Sequence, residues 1–526
     1  MASRRDELNA YTFARKRMVG AFLQPGGGGN DEDAPRPIRA VLPSFVIGAV
    51  IVAGFGMWGV IKPSAPPNWD NGKYILQGKT STTRYVILTD QKSGQPMLHQ
   101  VLNMSSARLV LAENATVQTV ADEVLDKYPR RGPAIGIPYA PDKLPKVDDA
   151  GISKLWSVCD KQGKENLSSQ VAQSMFIAAG ADAKTLQGER KLKDNQSLFV
   201  QGPDEQGAPG SRFLVDSNGL KHAIGREDTS KTDKDAMETA LFGPGMKPQR
   251  VTKEWLATLD YGEPVKFFRF PNVIAKQSAP STVALSQDSE KKVGRVLKFE
   301  GNYYAVGPNN LFQISEFQAD LMRLDPNTQA AAYGDATPTI AELGAGDYSK
   351  LQATISRAML DDAKNLPARK SPAVNVGAND PRTVVCSTFD GYDGDKIKRS
   401  VWASTAYPAD VSSDAASAHV TPGHGLLYRS LDGNSKPTAD GGTGTGYLIT
   451  DSGLRYTLPV NNDGGNGAAA TPSANPQGGD KKGTNEAQAR LGFKSVSPQF
   501  VPDFWSKLVP AGPVLNTNTA LQPQNA

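Results

Sequence analysis

Phe45-Val46-Ile47-Gly48-Ala49-Val50-Ile51-Val52-Ala53-Gly54-Phe55-Gly56-Met57-Trp58-Gly59-Val60-Ile61 is apolar or glycine throughout, inside an uncharged stretch of 22 residues, 40–61. A helix needs about 20 such residues to cross a bilayer core. The stretch therefore predicts one transmembrane helix over 41–62, with Phe45, Val50, Phe55, Trp58 and Ile61 spanning the lipid. A buried helix of a soluble protein fits less well, because a segment apolar on every side and bounded by Arg39 and Lys62 suits lipid better than a half-exposed core position. A cleaved signal peptide fits poorly too. Ser3-Arg4-Arg5 looks like the start of a twin-arginine signal, but Asp6 and Glu7 follow directly, and no small-residue cleavage site follows Ile61.

On the N-terminal side, residues 1–40 form a basic tail. Leu8, Tyr11, Met18 and Phe22 recur at helical spacing with Arg15 among them, which predicts an amphipathic helix that docks on a partner or lies on anionic lipid. Arg4, Arg5, Arg15, Lys16, Arg17, Arg36 and Arg39 precede the anchor, against Lys62, Lys73, Lys79, Arg84 and Lys92 after it. This bias points the tail into the cytoplasm and the C-terminal mass outward. Pro63, Pro66 and Pro67 then read as a stiff spacer. The net charge of +4 is small and its basic residues are scattered, so no nucleic-acid partner is implied. Only Cys159 and Cys386 occur. Facing outward they suggest a disulfide, with two buried free thiols as the alternative.

Four later stretches look alike. Tyr85, Phe213, Tyr304 and Tyr447 each open an apolar strand, a short Asp/Asn/Gly/Ser turn and a second apolar strand, which is the pattern of a β-hairpin. The second and fourth keep register. Phe213 with Tyr447, Gly219 with Gly453 and Ile224 with Leu458 differ by 234; Leu241 with Leu491, Gln249 with Gln499, Trp255 with Trp505 and Gly262 with Gly512 differ by 250. The jump falls where the later copy carries a Gly/Asn/Ala-rich insertion, a change that loop entropy tolerates.

The resulting division is four repeats around a central domain. The repeats are 73–148, 196–267, 301–355 and 426–515, the last with a low-complexity loop at 461–484. The central domain gathers 150–195, 268–300 and 356–425, and 516–526 forms a tail. After the first hairpin, Val117, Val120, Val124, Leu125 and Tyr128 predict a short helix.

The basic segment opening Ser3-Arg4-Arg5, the single anchor, Gly136-Ile137-Pro138 with Ala140-Pro141-Asp142, Trp156 with Cys159-Asp160, and Tyr447-Leu448-Ile449-Thr450-Asp451-Ser452-Gly453-Leu454-Arg455-Tyr456 together resemble the EccB family. This family is the membrane-anchored core component of the type VII (ESX) secretion machinery of actinobacteria. The resemblance implies a bitopic membrane protein: a single N-terminal transmembrane helix plus an elongated, β-rich α+β extracytoplasmic domain, with four repeats around a disulfide-bearing central domain. The repeats resemble a phage-lysin cell-wall-binding subunit. The implied partners are the EccC motor ATPase and EccD, often with EccE and the mycosin protease, and further copies of the chain through the ectodomain. The sequence departs from the pattern in the loop near 464–483 and at Tyr139, where a small residue is expected.

Members of the family are sometimes labelled ATPases, but Gly78-Lys79-Thr80 lacks the glycine a phosphate loop requires, since position 73 is Lys73. His99 and His222 fall within hairpins and read as partly exposed strand residues. His419 and His424 have no carboxylate at metal-site spacing in the sequence. Ser289-Glu290-Lys291-Lys292 matches Ser-x-x-Lys without its companion motifs. No catalytic residue, cofactor or metal ligand is assigned. The expected function is assembly of a secretion channel; the rival expectations are an anchored cell-wall-binding module and an extracytoplasmic nucleotide hydrolase.

Overall fold

The computed structural model describes residues 4–23, 38–61, 65–90, 92–163, 170–271, 280–377, 381–411, 418–432, 437, 445–459 and 486–524. The loop expected at 461–484 lies outside them. Helix α1 (Arg4–Leu23) buries none of its residues, and helix α2 (Ile38–Ile61) runs 24 residues through the apolar stretch. Among the described residues, no helix is long and apolar enough to cross a membrane. The side chains of Trp58 and Ile61 are outside the described set; the longest run of α2 whose side chains are described, 43–55, spans only about 20 Å at 1.5 Å per residue. Phe45, Val50 and Phe55 within it are exposed.

Five β-sheets follow. The first is ordered β3-β2-β1-β4, from β1 (Tyr74–Gly78), β2 (Arg84–Thr89), β3 (Pro96–Val101) and β4 (Thr116–Val120). A central sheet, β17-β16-β5-β6-β18, combines β5 (Leu155–Gln162) and β6 (Val171–Ala178) with β16 (Val384–Asp393), β17 (Lys396–Ser404) and β18 (His419–Val420). The second is β10-β7-β8-β9-β11, from β7 (Leu198–Gln201), β8 (Arg212–Val215), β9 (Leu220–Ala223), β10 (Gln249–Arg250) and β11 (Asp260–Tyr261). The third is β14-β13-β12-β15, from β12 (Val296–Phe299), β13 (Asn302–Val306), β14 (Leu311–Ile314) and β15 (Ala341–Glu342). The fourth is β21-β20-β19-β22, from β19 (Leu426–Leu431), β20 (Thr445–Ile449), β21 (Arg455–Leu458) and β22 (Gln499–Pro502).

The four numbered sheets share one plan. Each is an antiparallel meander of three strands whose first strand also pairs in parallel with a later one, β1 with β4, β7 with β10, β12 with β15 and β19 with β22. A parallel return needs a crossover. Helices Met104–Val110 (α3), Lys231–Phe242, Glu316–Leu324 and Glu486–Arg490 lie in these crossovers. The second and third strands of each meander are the four aromatic-led hairpins. The turns of the second and fourth hairpins each hold a left-handed residue, and Gly219 (φ 78°) and Gly453 (φ 77°), 234 residues apart, supply it at matching places.

Three expectations are corrected. Val117 and Val120 lie on β4, because the β-branched run Thr116-Val117 and Thr119-Val120 pairs with β1; only Val124 and Leu125 are helical, in α4 (Asp122–Asp126). Segment 268–300 does not join the central sheet: its strand β12 pairs with β13, and Val283 and Leu285 pack with Leu297 and Tyr304. Of 356–425, Ser356 bridges Phe312 in the third sheet, and Ala373 bridges Ser197 beside the second; the central sheet begins at Val384.

Packing does not follow chain order. Ile75, Val86 and Val101 of the first sheet share a core with Leu427, Leu448 and Tyr456 of the fourth. The fourth shares a second core with the central sheet and with the second sheet, where Tyr428, Trp505, Trp156, Val385, Val200 and Trp255 meet. The second packs on the third through Phe199 and Met237 against Val296 and Phe317. The row therefore runs first, fourth, central, second, third. Residues 515–524 close it: Leu515 and Ala520 are fully buried in the core of the first and fourth sheets, and the Gln524 backbone N–H donates to Ala134 at 2.8 Å.

Candidate functional site

The central sheet is where the molecule is held together. Cys159 on β5 faces Cys386 on β16 across an antiparallel register, and the two are joined by a disulfide. Both residues are fully buried. The bridge closes a separation of 227 residues and binds the two strands on which the flanking sheets converge.

Next to it, the buried carboxylate of Asp160 accepts from the Thr252 backbone N–H (2.6 Å), the Thr252 Oγ1 hydroxyl (2.8 Å) and the Gln173 side-chain amide (3.1 Å). Thr252 is the N-cap of helix Lys253–Ala257, whose Trp255 fills the shared core. Burial pushes the Asp160 carboxyl up to about 6, against the hydrogen bonds from Thr252 and Gln173 that favour its charged form. In the fourth sheet the matching helix, Asp503–Lys507, is bonded to β19 of the same sheet. Tyr428 Oη pairs with Ser506 Oγ at 2.8 Å, and Ser430 Oγ donates to Asp503 at 2.9 Å. At its start, Asp149 accepts from the Gly425 backbone N–H (3.0 Å) and Lys154 Nζ (3.0 Å) and pairs with His424 Nδ1 (2.8 Å). Burial raises the Asp149 carboxyl, but His424, Gly425 and Lys154 together bring it below its usual value.

The sequence-flagged motifs resolve as follows. Gly78-Lys79-Thr80 is the turn from β1 to β2, and the Thr80 and Ser81 backbone N–H groups donate to Asp122 at 2.8 and 3.3 Å. The amides that would face a phosphate already hold a carboxylate. His222 is fully buried, contrary to expectation: its ring packs against Gly262, where a Cβ would come within 2.3 Å of it, and its Nδ1 pairs with Glu263 O at 2.9 Å. Tyr456 does the same over Gly512. His419 and His424 each have a carboxylate, which the sequence hid: Asp182 at 3.1 Å and Asp149 at 2.8 Å, contributed by distant segments. Ser289 Oγ donates to Glu290, and Glu290 is bound by Arg295 at 2.6 Å, so the Ser-x-x-Lys match sits in a local ion-pair turn. Tyr139 is 89% exposed and left-handed (φ 61°). Leu8, Tyr11, Arg15, Met18 and Phe22 on α1 are all exposed, so the structure places none of them against the folded sheets.

A family model described as "Type VII secretion system ESX-1, transport TM domain B" matches residues 1–526. The chain is 26% identical over 507 residues to the ESX-3 secretion system ATPase EccB3 of Mycobacterium tuberculosis, covering 92% of this chain and 82% of that one. It is 26% identical over 511 residues to EccB3 of Mycolicibacterium smegmatis, covering 93% and 84%. Among solved structures, its fold is similar to a chain of the intact ESX-5 inner membrane complex (TM-score 0.56, 18% identity, 100% of this chain and 96% of that one). It is also similar to the EccB3 dimer of the ESX-3 core complex (TM-score 0.54, 22% identity, 85% and 100%). With the match running the whole length, the chain belongs to the EccB family of type VII (ESX) secretion components.

Proposed function

We propose that the chain is a structural subunit of a type VII secretion membrane complex, in which it anchors and oligomerises the extracytoplasmic side of the channel. The observation that carries this is the family match over 1–526, joined to the fold shared with chains of assembled ESX complexes. In this reading α2 is the single membrane span, with Phe45, Val50, Phe55, Trp58 and Ile61 in lipid. α1 is a cytoplasmic docking helix whose Leu8, Tyr11, Arg15, Met18 and Phe22 meet a partner. The four sheets of common plan are repeats, near 73–148, 196–267, 301–355 and 426–515, and the paired offsets of 234 and 250 record a duplication. The partners are a motor ATPase of the EccC kind, an EccD-like membrane protein and a second copy of the chain.

The row of sheets supports a scaffold: the disulfide-bridged central sheet shares one core with the second and fourth sheets. Gentle detergent extraction from the native membrane, followed by sizing and mass spectrometry, tests the assignment. A particle far larger than the 56.1 kDa chain, containing a motor ATPase, is the expected result. Recovery as an isolated monomer or dimer, while other membrane complexes survive the same extraction, overturns it. The relatives carry the word ATPase in their names. Nucleotide turnover by the purified chain that disappears in Lys79→Ala would move that activity onto the Gly78-Lys79-Thr80 turn, where the geometry leaves no open amides.

A further inference from the structure

An open groove of about 1340 Å³ lies on the second sheet, between helix Lys231–Phe242, helix Lys253–Ala257 and the 202–211 loop. That is larger than the ordinary small-molecule pocket of about 300–1,000 Å³ and suits an extended chain. Its charged lining is of two kinds. Lys231 with Asp235 and Arg212 with Glu238 are closed ion pairs at 2.5 Å. Arg226, Lys234 and Lys253 also face the groove, and none of the three forms an ion pair among the described residues.

The wall beyond them is aromatic and basic together. Lys221 is only 4% exposed, donates from Nζ to Leu256 O at 2.7 Å, and lies 3.9 Å over the ring of Tyr261. Tyr261 itself is 82% exposed, so one face of its ring is fixed by the ammonium while the phenol stands at the mouth of the groove. A residue that large, exposed and held in place is the kind of anchor that recognition surfaces use. Ala223 and Leu256 supply half-buried apolar floor between the charges.

We propose that this groove binds an extended acidic peptide segment of a partner protein. The unpaired cations give it a positive excess, and a strand-like peptide presents alternate carboxylates on one face, every ~7 Å. The groove also carries Glu205 and Glu227, which repel a polymer charged at every unit. A peptide places neutral side chains opposite those two acids and over the apolar floor. This surface lies on the second sheet and shares no residue with the core of the first and fourth sheets.

The test is fluorescence anisotropy on the full chain in detergent micelles, with a fluorescein-labelled decapeptide of alternating Glu and Leu. Saturable binding is expected, weakened at least tenfold by Arg226→Glu with Lys253→Glu and also weakened by Tyr261→Ala. Arg226, Lys253 and Tyr261 are exposed, so the variants should fold, and an unchanged melting temperature checks this. Lys350→Glu, on an exposed helix by the third sheet, should leave binding unchanged. No saturation by 1 mM peptide overturns the proposal. So does equal binding of an alternating Lys and Leu peptide, or tighter binding of inorganic polyphosphate with the same response to the variants, which would mark a general anion patch.

Discussion

Trp255 and Trp505 enter one core from the second and fourth sheets, and Gln249 and Gln499, 250 residues apart, each donate to a backbone carbonyl just ahead of a central strand: Thr383 at 2.8 Å and Gly151 at 2.6 Å. Lys221 and Arg455, 234 residues apart, likewise donate to carbonyls at Leu256 and Val509. Paired positions in the two sheets thus carry donors to backbone carbonyls. Their electrostatics differ. The second sheet is held by Asp160, whose buried carboxylate accepts from Thr252, the N-cap of a helix it does not belong to, whereas the helix Asp503–Lys507 begins at Pro502 with no side-chain cap and is bonded through hydroxyls to β19 of its own sheet. The carboxylate nearest the start of the fourth sheet, Asp149, is held below its usual value while Asp160 is raised. The carboxylates that meet the two sheets can therefore respond oppositely to pH, because hydrogen bonds and burial around each differ.

The largest effect should come from the bond within the central sheet. Reducing Cys159–Cys386, or replacing both with serine, should loosen the two flanking sheets together, by as much as about 5 kcal/mol in the chain-entropy model for so long a loop. Equal melting temperatures with and without reductant would show that the bridge adds nothing. Next, Trp255→Ala and Trp505→Ala should each cost about 3–5 kcal/mol, since both fill one core. A cost below 1 kcal/mol at either site in chemical denaturation would break the equivalence of the two tryptophans.

The pH dependence sharpens the difference. The Asp160 carboxyl is raised from 3.8 to about 6, so the folded state holds its proton more tightly than the unfolded one. Its penalty is absent below about pH 4, grows as pH rises towards 6 and is constant above, a range of about 3 kcal/mol. Asp160→Asn should flatten that part of the stability profile, measured as the wild-type minus variant difference. Asp149 works the other way: its contribution is present above the ordinary carboxylate value and is lost as pH falls, so Asp149→Asn should cost stability at pH 7 and little in acid. Profiles of the same sign for the two variants would refute the contrast. Smaller still, Gly262→Ala and Gly512→Ala should each cost about 1–3 kcal/mol, because His222 and Tyr456 leave no room for a methyl group. Removing 464–483 should change stability by less than about 1 kcal/mol.

The hairpins were legible because their signals are local: alternating apolar residues, a turn of Asp, Asn or Ser, and a glycine where φ must be positive, repeated at one offset for the second and fourth. Trp255 and Trp505 could be paired by register, and the two cysteines by scarcity and expected compartment. The order first, fourth, central, second, third was not legible, since nothing local says that Leu427 packs against the sheet of Ile75 rather than that of Leu297. Nor were the partners of the histidines. Asp149 lies 275 residues from His424 and Asp160 lies 92 from Thr252, and no spacing rule reaches that far. By itself the sequence determined the repeating strand pattern, the apolar segment and the family. Only the tertiary structure decided which sheets share a core and which carboxylate is desolvated, because burial depends on everything that surrounds a residue and strand propensity mainly on its neighbours.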